Sequence, residues 1–425
     1  MLPSDGFLKS MSGAANTLEY SRITYVTRAS RHSYPTKVPM KRLKIVVGSL
    51  FLPLSLGIGA CGNATTVEVS SDGTARAASL AELKQVLQNN RGVKRVLLAQ
   101  GNYGTLSLKG VRFASKVVVE AADPRRAPTF QGLVLRDVGN LAIRNVAVKP
   151  TRKADPAARY GALLMGSDNI ELDGVAFVGP GPGIDRSYLA GVMLRSGQNI
   201  VVTRSYFANF RHGLELLNVE NTRIVLNEFE KLQTDAIRGG GVNRLLIANN
   251  VITGFSPQPR DHPDGIQLWS TNQKKPGTDI EIRANLVVRG KGAPVQGVFI
   301  RDTNLKMPFV RLKIADNLII GGLWNGIAVT GARGVNVTNN CVVSRSDQKS
   351  WIRLDHTQQM QITQNIAVQY LYNGKASKSL TAKNRQSQRY DGPAAPIIAE
   401  WLRVTSGFED YRGPVLQKLL MGTSN

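Results

Sequence analysis

Asp261, His262 and Asp264 crowd around Pro263 in the ten residues RDHPDGIQLW, Arg260 to Trp269. An imidazole flanked by carboxylates, on backbone stiffened by proline, has its tautomer and proton affinity set by those neighbours. That suits it to proton transfer near neutral pH. The plain alternative for Asp264, and for Asp235 in QTDAI, is to cap the turn before a strand, as Asp and Asn commonly do. The choice between the two rests on what the fold brings alongside.

The chain has 425 residues and a formal net charge of +24. Residues 1–60 carry eight Lys or Arg against Asp5 and Glu19, which is +6, so +18 belongs to the remainder. Such an excess favours a polyanionic partner: nucleic acid, anionic lipid or acidic polysaccharide. MKRLK from Met40, followed by the apolar run Ile45 to Ala60, has the basic and hydrophobic regions of an export signal, and the run is short and glycine-rich for a spanning helix. Ile58-Gly59-Ala60-Cys61 resembles a bacterial lipoprotein box, which would make Cys61 a lipid anchor and the one contact with a membrane; ordinary signal cleavage nearby is the alternative. Met40 reads as the start of translation. Export, with no zinc-finger or recognition-helix pattern, argues against nucleic acid. It leaves an acidic polysaccharide as partner of an exported monomer that is periplasmic, anchored at the outer membrane or secreted. The two cysteines are Cys61 and Cys341, so a lipidated Cys61 leaves no internal disulfide.

The scaffold for these groups is legible as a repeat. Segments of the form Asn-apolar-any-apolar recur at Asn145, Asn227, Asn250, Asn285, Asn317, Asn340 and Asn365, with Gly174 and Ser205 filling two gaps, at intervals of 22 to 35 residues. A second motif, Gly-apolar-any-apolar, recurs between them as GVML, GLEL, GIQL, GVFI and GIAV. Two or three short strands per repeat with period-two alternation describe one coil of a parallel β-solenoid, its asparagines stacked as an internal ladder. Cys341, one residue past a ladder Asn, is expected in an inward-facing slot as a small buried hydrophobe.

On these motifs the chain resembles the right-handed parallel β-helix families, the pectate-lyase-like superfamily that includes polysaccharide lyases, mannuronan epimerases and pectin hydrolases. The resemblance implies an all-β, right-handed parallel β-helix (solenoid) over residues 65–372 as the catalytic domain. SLAELKQVLQNN, with Ser79 and Glu82 as a capping box, is expected to form a helix that covers the N-terminal end of the coil. Residues 1–61 then hold the extension and signal, and residues 373–425 a basic linker and a C-terminal cap segment.

Stacking the glycine strands as one sheet, each about 4.8 Å from the next, turns spacing into geometry. The position before each glycine reads Ala190, His212, Asp235, Asp264, Gln296, Asn325; two places after it come Met193, Glu215, Arg238, Gln267, Phe299, Ala328; four places after it come Arg195, Leu217, Gly240, Trp269, Arg301, Thr330. The polar residues gather on the middle coils as an outward-facing cluster. His262 is read as a base, Asp261 or Asp264 as the group that orients it. Arg301 or Arg238 is read as the cation that stabilises the enolate-like intermediate when a uronate loses the proton beside its carboxylate. His212, Glu215, Asp235, Gln267, Trp269 and Arg353 are read as substrate-binding. A cross-strand ion pair is the plain alternative for Glu215 with Arg238, and an ordinary exposed aromatic for Trp269.

An acid that protonates the glycosidic oxygen makes such a site a lyase, whereas a proton returned to the opposite face of the same carbon makes it an epimerase. Asp261-His262-Pro263-Asp264 is similar to the Asp-Pro-His-Asp motif of mannuronan epimerases, with Pro and His exchanged, and the exchange favours the lyase. Gln233-Thr234-Asp235, Asp264, Arg211-His212-Gly213 and Arg311-Leu312-Lys313 resemble, in a different order, the elements of pectin hydrolases; a non-catalytic polysaccharide-binding solenoid is the remaining class. No metal or cofactor is expected. Ca²⁺ is the alternative, if Glu215, Asp235, Asp261 and Asp264 converge, although the nearby arginines compete for these carboxylates.

Overall fold

The computed structural model describes residues 67–89, 92–151, 159–180, 190–409, 411 and 413–422. The chain divides into two units, and the described residues belong to the second, Val67–Asn425. The export signal and the lipid anchor at Cys61 lie outside the described residues.

Successive coils contribute short strands that pair in parallel with their counterparts one coil away. The chain of partners Leu214, Ile237, Ile266, Val298, Ile327 and Ile352 is one such column. Two strand columns merge into a 22-stranded sheet and a third forms an 11-stranded sheet, the arrangement of a parallel β-helix. The predicted cluster lies on β1 (His212–Leu217), β2 (Ile237–Gly240), β3 (Asp264–Trp269), β4 (Gln296–Arg301), β5 (Asn325–Thr338) and β6 (Trp351–Thr363).

The glycine second in β1, β3, β4 and β5 answers a packing constraint. Inside the coil Phe177, Phe207 and Phe229 of the second sheet stack with centroids 4.9 and 4.7 Å apart. A Cβ on Gly213 would lie 2.6 Å from the Phe229 ring and 2.5 Å from the Ala236 carbonyl. No side chain fits between the facing walls there without displacing one of them.

The asparagine ladder stands at the turn into the second sheet. Asn227, Asn250, Asn285, Asn317, Asn340 and Asn365 are fully buried. Each Oδ1 from Asn250 to Asn365 accepts both the backbone N–H and the Nδ2–H of the ladder residue one coil earlier, at 2.9 to 3.1 Å. Ser205 begins the column by donating its N–H to Asn227 Oδ1. The ladder also runs on past Tyr372, because Asn384 Oδ1 accepts from Asn365 in the same way. The stretch read as a linker therefore contributes one more rung.

Asn145 and Gly174 do not occupy the ladder slot. The register Ala147, Ala176, Tyr206, Glu228 puts Val146 and Val175 there. Asn145 and Gly174 sit one residue earlier, where the backbone is left-handed with φ of 53° and 63°, as it is at Leu226, Asn249, Asp316 and Asn339. Asn is among the side chains that tolerate this conformation best. Two different roles for Asn thus sit side by side, and the pairs Asn249-Asn250 and Asn339-Asn340 fill both.

The helix α1 (Leu80–Asn89) buries Leu83, Val86 and Leu87; Ser79 Oγ accepts the Glu82 N–H and the Glu82 carboxylate accepts the Ala78 N–H. After the short α2 (Lys378–Ala382), α3 (Ala394–Val404) and α4 (Pro414–Leu420) pack Ile398, Trp401 and Leu416 onto Val251, Leu286 and Leu318 of the second sheet's outer face. Glu228 ties this cover down by accepting the Val415 and Leu416 N–H groups at 3.1 and 2.9 Å. Cys341 departs from expectation: it packs against this outer cluster, while its neighbour Val342 fills the coil interior. Burial pushes its thiol up to about 12, away from the thiolate form a reactive cysteine needs, but on the other face from the one expected.

The ladder generates a graded expectation. Asn285→Ala removes a buried rung and strands the groups that bonded it, costing about 3 kcal/mol or more of unfolding free energy. Thr271→Ala, in an exposed hydroxyl pair with Thr303, costs under about 0.5 kcal/mol. Urea unfolding of both variants checks the contrast, and equal losses would deny the ladder its special role.

Candidate active site

The outward-facing column His212, Asp235, Asp264, Gln296 forms as the spacing predicts, with His212 paired to Ala190 and Asp264 to Gln296. It faces away from the coil interior, yet it is buried: His212 is 4% exposed, Asp235 3% and Asp264 0%. The segment from Phe255 to Pro263 lies beside it, stitched to its neighbours by Ser256 N–H to Leu232 O, Ala293 N–H to Phe255 O and Gln296 N–H to Pro263 O. The column therefore forms the back wall of the site.

Hydrogen-bond geometry settles the state of His212. Its Nε2 is 3.2 Å from Arg238 Nη1, and a guanidinium can only donate, so Nε2 accepts. Nδ1 then carries the proton and donates to Thr234 Oγ1 at 2.5 Å; that hydroxyl donates on to the Arg211 carbonyl at 3.2 Å. Burial, with the charges of Arg238 and Arg211, pushes the imidazole down to about 2. His212 is thus a neutral strut between Arg238 and Thr234. Thr234 entered the sequence reading only within the hydrolase-like Gln233-Thr234-Asp235, without a role of its own; its place beside Asp235 in the His212 register was the available signal.

Arg238 is the hub. Its Nη1 lies 2.9 Å from Asp235 Oδ2, and its guanidinium carbon sits 4.9 Å from the centre of the Trp269 ring, a cation–π contact. The contacts with His212 and Asp235 both use Nη1, and Nε and Nη2 take no hydrogen bond among the described residues. Asp235 in turn accepts the Asp264 N–H at 3.1 Å. Burial raises the proton affinity of Asp235, against the charge of Arg238 and the hydrogen bond from the Asp264 N–H. Asp264 goes well above the usual carboxylate range, driven by burial and then by the charge of Asp235. Gln267 Nε2 donates to Asp264 Oδ2 at 2.5 Å, while Asp264 Oδ1 has no partner. Glu215, paired across the strands with Arg238, is also raised, first by burial and then, against Arg238, by Asp235. Its carboxylate lies 3.6 Å from His212 Nε2.

His262 is exposed on the loop and Asp261 is half-buried. Asp261 anchors the loop: Oδ2 accepts Gln233 Nε2 at 2.7 Å and the Gln258 N–H at 3.1 Å, and Oδ1 lies 3.9 Å from Arg211. Asp261 and Asp264 therefore turn to partners other than the imidazole. Among the described residues no group of three or more His, Cys, Asp and Glu side chains is placed to hold a metal ion. The four carboxylates considered for Ca²⁺ do not converge, because Asp261 faces Gln233 while Asp235 faces Arg238.

Arg301 and Arg353 stand apart from this centre. Arg301 pairs with Trp269 at the far end of β3, five residues and roughly 16 Å along the strand from Asp264. Both arginines line a groove of about 530 Å³ floored by Phe299, Ala328 and Thr330, with His356 and Asp355 on its walls. The predicted cluster thus divides into a buried centre at Arg238 and a neighbouring cationic groove.

A parallel β-helix carrying polar side chains on one outer face is a recognisable class, and the family comparison agrees. The model of the right handed beta helix region matches residues 131–366, more than half of the chain, and the protein belongs to that family. No curated protein matches the sequence. Among solved structures, PfbA, a surface adhesin of Streptococcus pneumoniae, is similar at 12% identity over 74% of this chain and 92% of that one, with a TM-score of 0.50. The alginate lyase from Paenibacillus sp. str. FPU-7 is similar at 15% identity over 73% of this chain and 99% of that one, TM-score 0.45. The periplasmic alginate epimerase AlgG is similar at 15% identity over 76% and 69%, TM-score 0.43. At these identities the likeness is one of fold.

The state of His212 has a measurable consequence. The unfolded chain binds a proton on this ring below about pH 6.5, whereas the folded ring stays neutral down to about 2. The unfolded state therefore binds more protons, and this group lowers stability by about 1.4 kcal/mol per pH unit as pH falls below 6.5, with no effect above it. Asp235 and Asp264, raised in the fold, act with the opposite sign above the unfolded carboxylate range. The difference between the stability curves of wild type and His212→Gln isolates the imidazole. It should slope between pH 6.5 and 4.5 and be flat from 7 to 8; a flat difference throughout would mean that the ring titrates normally.

Proposed function

We propose that the protein is an exported enzyme that cleaves an acidic, uronate-containing polysaccharide by β-elimination. The observation that carries this reading is Arg238: it is held through one nitrogen, leaves Nε and Nη2 without a hydrogen bond among the described residues, lies against an aromatic ring, and stands beside a loop that presents an exposed imidazole. A planar guanidinium fork with a free edge matches a uronate carboxylate, and its hold strengthens as charge moves onto that carboxylate during proton loss. The contacts of Arg238 with His212, Asp235 and Trp269 support it for this role over Arg301, which stands two coils away and two residues further along the strand.

In this mechanism His262 takes the proton from the carbon beside the carboxylate. Glu215, its proton affinity raised by burial and by Asp235, hands a proton to the departing glycosidic oxygen. His212 and Asp235 keep Arg238 in position. Trp269 packs against the guanidinium and offers its remaining surface to a sugar ring. Asp261 holds the loop so that the imidazole meets the substrate. The exposed cations outside the site steer the polyanion through the field of the whole chain. Export rests on the signal-like segment from Met40 to Ala60.

A hydrolase is the second reading, favoured by the adjacent carboxyls Asp235 and Asp264 with unequal proton affinities, the pattern of an acid and a base. Their burial weighs against it, since Asp264 is 0% exposed behind the loop and reaches no glycosidic oxygen there.

Incubation with alginate, pectate and glucuronan distinguishes the readings. β-Elimination yields an unsaturated uronate with new ultraviolet absorbance, hydrolysis yields reducing ends without it, and an adhesin yields neither. His262→Gln should lower turnover by about two to four orders of magnitude with folding intact. Arg238→Lys, which keeps the charge but loses the fork, should lower turnover more than apparent affinity, with the loss persisting at saturating substrate. A loss confined to the Michaelis constant and abolished by adjusting salt would reduce Arg238 to steering.

A further inference from the structure

We infer that the C-terminal end of the solenoid is a docking site for an anionic phospholipid surface, with a headgroup phosphate seated at Lys349 and Lys378 over an aliphatic floor. Such a site would operate whichever reaction the Arg238 centre performs.

The parallel stacking ends where the chain turns back on itself. Tyr372 pairs antiparallel with Lys375, α2 follows, and Asn384 supplies the last rung. Between this returning segment and the last coil lies a cavity of about 630 Å³, with Val368, Ala376 and Ala382 in its lining and Lys349 and Lys378 beside them. On the register from Arg238 through Gln267, Phe299, Ala328 and Arg353 to Leu371, this end stands five coils, roughly 24 Å, from the candidate active site.

Charge gives the sign of the ligand. Residues 348–390 hold seven Lys or Arg against one acid, Asp355, and Asp355 is spent on Arg353 at 2.6 Å. The acids just outside the stretch are engaged as well: Asp347 pairs with Arg289, and Asp391 accepts the Ser346 N–H at 3.0 Å. The cavity lining holds no Asp or Glu. Lys349 is half-buried there and Lys378 is exposed, and neither has a side-chain hydrogen bond or ion pair among the described residues. A half-buried ammonium without a counter-ion is costly unless an anion completes it.

The lining favours a lipid over the other polyanion, a polysaccharide. Sugar sites offer aromatic faces and free hydrogen-bonding groups. Here Tyr370 is 1% exposed, and its hydroxyl donates to the carbonyls of Asn365 and Arg385 at 2.8 Å. The Thr381 hydroxyl donates to the Ser377 carbonyl at 2.8 Å, and the Gln386 amide to the Val368 carbonyl at 3.3 Å. Two ammonium groups and the Gln369 amide remain above an aliphatic floor, which matches a phosphate carried on a glycerol and acyl body. Clustered basic residues are drawn to anionic bilayers in the same way.

The test is cosedimentation of the full chain, carrying Cys61→Ser so that no acyl anchor contributes, with vesicles of phosphatidylcholine alone and of phosphatidylcholine and phosphatidylglycerol in equal parts. Phosphatidylglycerol should add binding that weakens as salt rises. Lys349→Gln and Lys378→Gln should each weaken this added binding about fivefold, and Ala382→Glu, which sets a carboxylate at the rim from an exposed position, at least as much. Lys109→Gln removes the same charge from an exposed position on an early coil and should leave it unchanged. Lys378 is exposed, so its replacement keeps the test sound should Lys349→Gln lower the melting temperature. Binding to phosphatidylcholine alone should be equal in all variants, which separates the site from the apolar run Ile45 to Ala60. Three outcomes overturn the inference: no added binding with phosphatidylglycerol, an equal loss with Lys109→Gln, which would leave only the net charge of the chain, or lysine variants that keep vesicle binding and lose retention on alginate or pectate, which would give the pocket to a polysaccharide.

Discussion

The side-chain amide of one asparagine, bonded to both the backbone and the amide of the next coil, is the constraint on which the rest of the molecule depends. An amide presents two donors and one carbonyl, and the turn uses them fully: Asn285 gives Nδ2 to Ile247 O, Arg283 O and Asn317 Oδ1, and takes Asn250 on its own carbonyl. Such bonds are made at one register and at no neighbouring one. With the turn locked, every residue at a given offset from the ladder must stack on its counterpart. Insertions between rungs are therefore expelled as loops. The 35-residue interval from Asn250 to Asn285 is the longest of the set, and it is the one that carries the loop with His262.

Stacking identical offsets has an electrostatic cost when the offset is polar, and the site is organised around it. Asp235 and Asp264 fall one above the other out of contact with water, so burial raises the proton affinity of both and the charge of Asp235 raises that of Asp264 further. Arg238 answers only Asp235 directly. The neutral His212 takes the second bond from the same nitrogen and passes its own proton to Thr234, so that donor and acceptor alternate from Arg238 to the Arg211 carbonyl. A charged imidazole would break that alternation at Nε2 and face Arg238 at close range. These contacts tie the wall together, and on it Asp264 Oδ1 is left without a hydrogen-bond partner.

What periodicity governs was legible, and what contact between distant loops governs was not. The columns read off GLEL, GIQL and GVFI agree with the strand register, because a two-residue alternation locked to a ladder leaves no freedom. Asn145 misled by one residue because a left-handed turn residue and a ladder residue are both served by Asn. Cys341 misled because a three-residue strand alternates faces, and the extra outer cluster from Ile397, Trp401 and Leu416 is invisible until the C-terminal helices are placed. The column was rightly read as outward-facing. Its burial depends on the path of residues 255–263, which no local pattern encodes. Arg301 was placed two coils from Arg238 and two residues further along the strand, and the register puts it there; what the spacing did not show is that Trp269 lies against the Arg238 guanidinium between them.

The position of His262 shows how a mobile kind of element is made to serve a rigid one. Nothing in the ladder or the sheets fixes this loop, and its imidazole is open to solvent. The restraint comes from Asp261, which accepts from Gln233 on the preceding coil and from Gln258 within the loop, and from Pro263, whose carbonyl accepts the Gln296 N–H of the following coil. The loop is thus clamped on both sides of the histidine to two different coils, both registered by the same ladder. A carboxylate next to a histidine is commonly read as its orienting partner. Here Asp261 orients the backbone instead and leaves the ring free to meet a ligand, which places the distinction between a structural and a catalytic acid at a single residue of RDHPDGIQLW.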